Sequence, residues 1–143
     1  MKRLLTLLAA ATLVFACANT QSEPKDGVTV LTEAQFLRQV YDFKATTPAF
    51  KGKRPVVVDL YADWCGPCRE RGPNLEIVAG EYAGKVDFYK VNVDNAKGLS
   101  SYFKMTGIPF LLFLDKDGAI KDETGYCTVD KLKALVENNC LNR

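Results

Sequence analysis

Histidine is absent from all 143 residues. With it go Ser-His and Cys-His nucleophilic catalysis and most zinc sites. A second CxxC is missing too, so a metal held by cysteine pairs would lack its four ligands. Charge of one sign is not in excess. Nineteen Lys and Arg face seventeen Asp and Glu, and Lys2 and Arg3 lie in a segment expected to be removed, leaving seventeen against seventeen. That balance gives no electrostatic case for binding nucleic acid or an acidic membrane. No apolar run is long enough to span a bilayer. Leu4 to Phe15 is about twelve residues, where about twenty are needed. There is no internal repeat, and the length fits one domain with a usable core. Apolar residues make up 48% and charged residues 25%, a globular rather than a disordered balance.

What is present begins with Met1-Lys2-Arg3 and the apolar run after it, the charged start and short apolar core of a secretory signal. Its end reads in two ways. Val14-Phe15-Ala16-Cys17 resembles a bacterial lipobox, in which Cys17 is lipidated, although Phe15 is bulkier than the motif usually allows. Ala16-Cys17-Ala18 also satisfies the small-x-small rule for ordinary cleavage after Ala18. The lipobox reading is preferred, because a cysteine placed there is otherwise unexplained. Residues 1–18 are thus expected to be a signal peptide and 19–27, polar with Pro24 and Gly27, a flexible tether. Residues 28–143 are the domain. The expected location is the periplasm or cell envelope, with a possible lipid anchor.

The domain is organised around Trp64-Cys65-Gly66-Pro67-Cys68. Val56 to Tyr61 is a short β-branched run, the signature of a strand buried on both faces. Gly66-Pro67 then turns the chain into a helix, with Pro67 at the first helical position, where a missing N–H costs nothing. Cys65 falls at the helix N-terminus, where free N–H groups and the positive dipole end stabilise a thiolate. Its pKa is lowered and it becomes a nucleophile near neutral pH. Cys68, one turn on, can close a disulfide with it. The chemistry is redox.

In chain order, Val28 to Leu31 reads as a first strand, and Thr32 with Gln35 fits a capping box. Phe36, Leu37, Val40 and Tyr41 would be that helix's buried stripe. Residues 42–54 read as a loop with at most a short turn. In the helix after Gly66, Pro73 should kink rather than end it, since Leu75, Ile77, Val78 and Tyr82 continue the stripe. Val86 to Val93 is the next strand, followed by a short helix around 96–103. Phe110 to Leu114 is a strongly apolar strand, and Asp115-Lys116-Asp117-Gly118 turns it into an edge strand, Ala119 to Thr124. Thr128 caps a last helix with Val129, Leu132, Leu135 and Val136 on its face. The order gives an α/β layer with its first three strands largely parallel and a terminal antiparallel hairpin.

VVVDLYADWCGPC, Pro73, YKVNVD, TGIPF, FLDKDG and Gly125 together resemble the thioredoxin family, over about Val56 to Leu141. The resemblance implies a thioredoxin fold, a central mixed β-sheet flanked by helices. It also implies roles. Cys65 would be the exposed attacking thiol and Cys68 the buried resolving one, with Asp59 the buried carboxylate beneath them and Lys90 the lysine beside it. An Asp inside an apolar strand is expensive to ionise, and a nearby Lys90 opposes that shift; Asp59 could also be simply a buried structural acid satisfied by Lys90. Pro109 matches the family's cis-proline, and Trp64, Gly66, Pro67, Gly107, Ile108 and Gly125 would surround the sulfurs as a shallow groove for substrate. Tyr61 stands where Trp is common and Phe110 where Thr is usual, which could reshape that groove. Cys127 and Cys140 lie outside the motif. If 128–139 is a helix they are about 18 Å apart, beyond the about 7 Å a disulfide allows. Cys127 is expected to be a buried thiol, and Cys140 to be open to oxidation or to pairing between chains.

The function implied is reduction of protein disulfides by dithiol–disulfide exchange, with no metal and no cofactor. An exported enzyme has no access to cytosolic NADPH, so a membrane thiol carrier is the expected electron donor. The domain is expected to act as a monomer on disulfide-containing proteins, with no nucleic-acid partner. Gly-Pro between the cysteines resembles the reducing thioredoxins, but the compartment is oxidising, so an oxidase or isomerase of the same fold is the alternative. A binding or chaperone module with a structural CxxC is the reading from another class.

Overall fold

The computed structural model describes residues 27–142; the expected signal peptide, Cys17 and most of the expected tether lie outside them. Seven strands and four α-helices follow in the order β1 (Val28–Val30), α1 (Glu33–Gln39), β2 (Tyr41–Asp42), β3 (Ala49–Phe50), β4 (Val56–Tyr61), α2 (Gly66–Glu81), β5 (Asp87–Asn92), α3 (Lys97–Tyr102), β6 (Phe110–Leu114), β7 (Ile120–Thr124) and α4 (Val129–Asn139). Five strands form one sheet in the order β1-β5-β4-β6-β7. β1, β5 and β4 run parallel, while β6 and β7 run antiparallel to their neighbours. This is the mixed sheet expected from the sequence.

Strand periodicity divides the core. On β4, Val56, Val58 and Leu60 join Leu112 and Leu114 of β6 in one cluster, packed with Phe36 of α1 and Leu99 of α3. Val57, Leu111 and Phe113 point the other way and pack with Leu75 and Val78 of α2 and Leu132 and Val136 of α4. Alternate side chains of a strand take opposite faces, so Asp59 shares the face of Val57, towards α2 and α4. One register step would turn the acid to the other layer.

The helix starts follow their capping residues. Thr32 Oγ1 accepts from Gln35 N–H at 3.2 Å and Gln35 Oε1 accepts from Thr32 N–H at 2.8 Å, both halves of the capping box. Thr128 caps α4 in the same way, accepting from Lys131 N–H. Gly118 has φ +81°, and a Cβ there would stand 2.6 Å from Phe50 Cβ, so both the turn and the approach of β3 require glycine.

Three expectations need correction. The stretch 42–54 is not a plain loop: β2 and β3 pair antiparallel, Tyr41 opposite Phe50. Asp42 Oδ1 closes the bend by accepting from the N–H groups of Lys44 and Ala45, so Tyr41 begins β2 instead of extending the α1 stripe. Ile77 is 52% exposed, because the buried residues of α2 are Cys68, Arg71, Leu75, Val78 and Ala79, and 77 lies off that face. Cys140 is buried at the end of α4 with its thiol on the Val56 carbonyl at 3.7 Å, not placed to pair between chains. Pro73 does not end α2, and Cys127 is a buried free thiol as expected.

Candidate active site

β4 delivers the chain to the site and α2 opens there. Cys65 is the N-cap of α2, with extended backbone, and its Sγ accepts from Cys68 N–H at 3.2 Å. An N-cap normally uses a side-chain oxygen for this bond; here sulfur takes the place, so charge developing on Cys65 meets a helix N–H and the dipole end. Pro67 sits in the first turn, where no donor is lost. Cys65 and Cys68 are joined as a disulfide, with Cα atoms 5.3 Å apart.

The disulfide packs with Ala62, against Tyr61, Val93 and Ile108. Cys65 is only 4% exposed and Cys68 3%, so the attacking sulfur is more enclosed than the sequence implied: Ile108 and Ala62 cover it. Trp64 is 68% exposed, its indole N–H donating to Asp94 at 3.0 Å. The Asp94 backbone N–H in turn donates to the Asn92 side-chain oxygen, and the Asn92 amide nitrogen donates to Asp63. Those three residues fix the Trp64 flank and were not anticipated. The Ile108–Pro109 peptide is cis. Pro109 O accepts from Gly125 N–H at 2.8 Å, which ties the segment 107–109 to Gly125 as one rim. Gly66, Gly107 and Gly125 have no atom within 4 Å of an added Cβ, so backbone lies open on this side.

Asp59 lies wholly buried on β4, but its partner is not Lys90. Arg71 of α2, equally buried, forms the ion pair, its Nη2 donating to Asp59 Oδ1. Lys90 is opposite Asp59 in the β4–β5 register, yet its ammonium lies over the Tyr61 ring, 4.4 Å from the centroid. The cation–π contact holds it at the edge of the site. Burial pushes the Asp59 carboxyl above its usual range; the Arg71 guanidinium and, more weakly, Lys90 oppose that. Arg71 was the missed residue. Its signal was legible: it falls three after Cys68 and four before Leu75, on the buried stripe of α2, where a cation demands a buried anion.

Comparison with known proteins agrees with this geometry. The thioredoxin family model matches residues 27–138. A thioredoxin from Borreliella burgdorferi is 35% identical over 109 residues, covering 76% of this chain and 93% of the relative. An H-type thioredoxin from Chlamydomonas reinhardtii is 42% identical over 102 residues, covering 68% and 89%. The crystal structure of chloroplastic thioredoxin z superposes with a TM-score of 0.62 over 78% of this chain and 93% of that one, at 23% identity, a likeness of fold. The chain belongs to the thioredoxin family. It is a thiol–disulfide oxidoreductase of the protein-disulfide reductase class, acting on disulfide-containing proteins.

Proposed function

We propose that this thioredoxin works in the cell envelope as a reductant of protein disulfides, recharged by a membrane thiol carrier. The observation that carries the reading is the Cys65–Cys68 pair at the N-terminus of α2, on the same strand–helix unit as the buried Asp59. The signal-like start and Cys17 support the location, with residues 19–27 as a tether to a lipid anchor or, after simple cleavage, as a free N-terminus.

In the reduced enzyme the Cys65 thiolate attacks one sulfur of a substrate disulfide and expels the other as a thiolate, leaving a Cys65–substrate mixed disulfide. Cys68 gives its proton to Asp59 and attacks Cys65 Sγ. The enzyme disulfide forms, the second substrate sulfur leaves as a thiolate, and the substrate has gained two electrons. A carrier dithiol returns them by the same exchange. Trp64, Gly66, Pro67, Gly107, Ile108, Pro109 and Gly125 form the groove in which an extended substrate segment lies across the sulfurs, with the open glycine backbone admitting it.

Replacing Cys68 by Ser in the full chain stops the sequence at the mixed disulfide. Expressed with its leader, Cys68→Ser is expected to accumulate covalent complexes in the envelope fraction, with exported disulfide proteins and with a membrane thiol protein. They should disappear in the Cys65→Ser, Cys68→Ser double variant. Complexes confined to the cytosol would contradict the location, and their absence everywhere would contradict the assignment of Cys65 as the attacking thiol.

A further inference from the structure

Asp59 and Arg71 are the buried charged residues among those described, neither with exposed side-chain surface. Arg71 occupies a helix position flanked on its buried face by Cys68, Leu75 and Val78, where a leucine would pack without a desolvation cost. A guanidinium cannot shed its proton to escape that cost, so it is stable there only beside a fixed anion. A purely structural Arg–carboxylate pair tends to be a two-pronged fork. This one is not. Nη2 donates to Asp59 Oδ1, while Nη1 donates to Gly125 O at 3.0 Å. Asp59 Oδ2 has no hydrogen-bond partner among the described residues. Gly125 N–H in turn bonds Pro109 O, so the guanidinium links the buried acid to the substrate rim.

The other groups around the acid do not replace this role. β5 supplies Lys90, drawn onto Tyr61 of β4; β6 supplies Leu111; the segment before α4 supplies the Cys127 thiol, which lies against Arg71. α2 supplies Arg71, with Cys68 one turn before it among the buried residues of the same helix.

We propose that Arg71 is a positioning residue for proton transfer from Cys68: it keeps Asp59 a carboxylate, engages one of its oxygens and leaves the other free to take the proton. The inference rests on the reading of Asp59 as the proton acceptor. When Cys68 S–H gives its proton to Asp59 Oδ2, the Cys68 sulfur becomes the thiolate that attacks Cys65 Sγ, and the carboxyl passes the proton on to solvent or to the departing substrate thiolate. Arg71 stays charged throughout.

The test is a single-turnover reaction of reduced enzyme with a dithiobis-nitrobenzoate, which releases one coloured thiolate on attack by Cys65 and a second when Cys68 closes the enzyme disulfide. The pH dependence of the second release is read against the first. Arg71→Met is expected to move the rising limb of the second release upward by about one pH unit or more, about tenfold slower near neutrality. Arg71→Lys should recover part of the shift. Asp59→Asn should abolish the limb, and in that background Arg71→Met should change nothing further; the double variant removes both charges together and leaves neither buried alone. A wild-type profile in Arg71→Met overturns the inference while leaving Asp59 as the acceptor. A wild-type profile in Asp59→Asn overturns the reading beneath it. If Arg71→Met does not fold, infrared spectra of the reduced wild-type enzyme, assigned by subtraction of Asp59→Asn, decide instead. An ionised Asp59 near neutral pH is expected, and a protonated carboxyl band there overturns the proposal.

Discussion

Four cysteines lie in the described domain, and their surroundings divide them into two pairs of different chemistry. Cys65 and Cys68 meet at a helix N-terminus beside a shallow rim, whereas Cys127 and Cys140 are sunk in the apolar layer between the sheet and the helices α2 and α4. Burial pushes the Cys140 thiol up to about 12, with Asp115 acting in the same direction; burial raises Cys127 as well, against Lys131 and Arg71. A raised value in the folded state means that the unfolded chain loses its proton first. Stability from Cys140 is therefore full below its ordinary value of about 8.5 and declines as pH rises from there towards about 12. Cys140→Val should flatten that alkaline decline relative to wild type, measured by urea unfolding at mildly acidic and strongly alkaline pH. An equal decline in both proteins would contradict the account. The burial of Cys140 was not legible in the sequence, since a residue near a chain end is exposed by default; only the docking of α4 on β4 and β6 hides it. The Asp59–Arg71 pair was half legible. An acid in a wholly apolar strand is visible from the sequence alone, but which cation meets it depends on the sheet's register and on α2 crossing that face.

Helices and turns were the more readable layer because their signals are local. Thr32, Gln35 and Thr128 announce helix starts through bonds spanning three residues, and Gly118 announces its turn through backbone conformation. Thr32→Ala removes the acceptor for Gln35 N–H and is expected to cost about 1 kcal/mol, seen as a lower urea midpoint with an unchanged slope. A change in slope would mean that α1 unravels in the native state instead. The β2–β3 hairpin was missed because nothing local demands it: its strands are two residues each, and Thr46, Thr47 and Pro48 look like loop. It is held by non-local packing. Phe43 stacks on Tyr102 at 4.8 Å between centroids, Phe103 meets both, and Phe50 fills the space over Gly118. Ile77 failed for the opposite reason. It was apolar but off the buried face, and an isolated exposed apolar residue is ordinary.

The whole molecule turns a local motif into a poised redox centre. Parallel β4 and β5 place Asp59 beside Lys90; the antiparallel β6–β7 return and the α4 approach bring Pro109, Gly125 and Cys127 to the same end of the sheet as α2's first turn. Helix terminus, rim and buried ion pair then act on one pair of sulfurs. The mixed-sheet architecture followed from the alternation of apolar runs and capped helices, and the family pattern from Asp59 to Gly125 gave the site's outline. The strand order, the division of Arg71 between Asp59 and Gly125 and the cover over Cys65 come from the packed structure alone. The measurement that bears most directly on the proposed reducing role is the Cys65–Cys68 reduction potential, by equilibration of the purified protein with thiol buffers. The account predicts a value near about −270 mV, the poise of a thioredoxin; a value of about −180 to −120 mV, where the oxidising relatives lie, would contradict it.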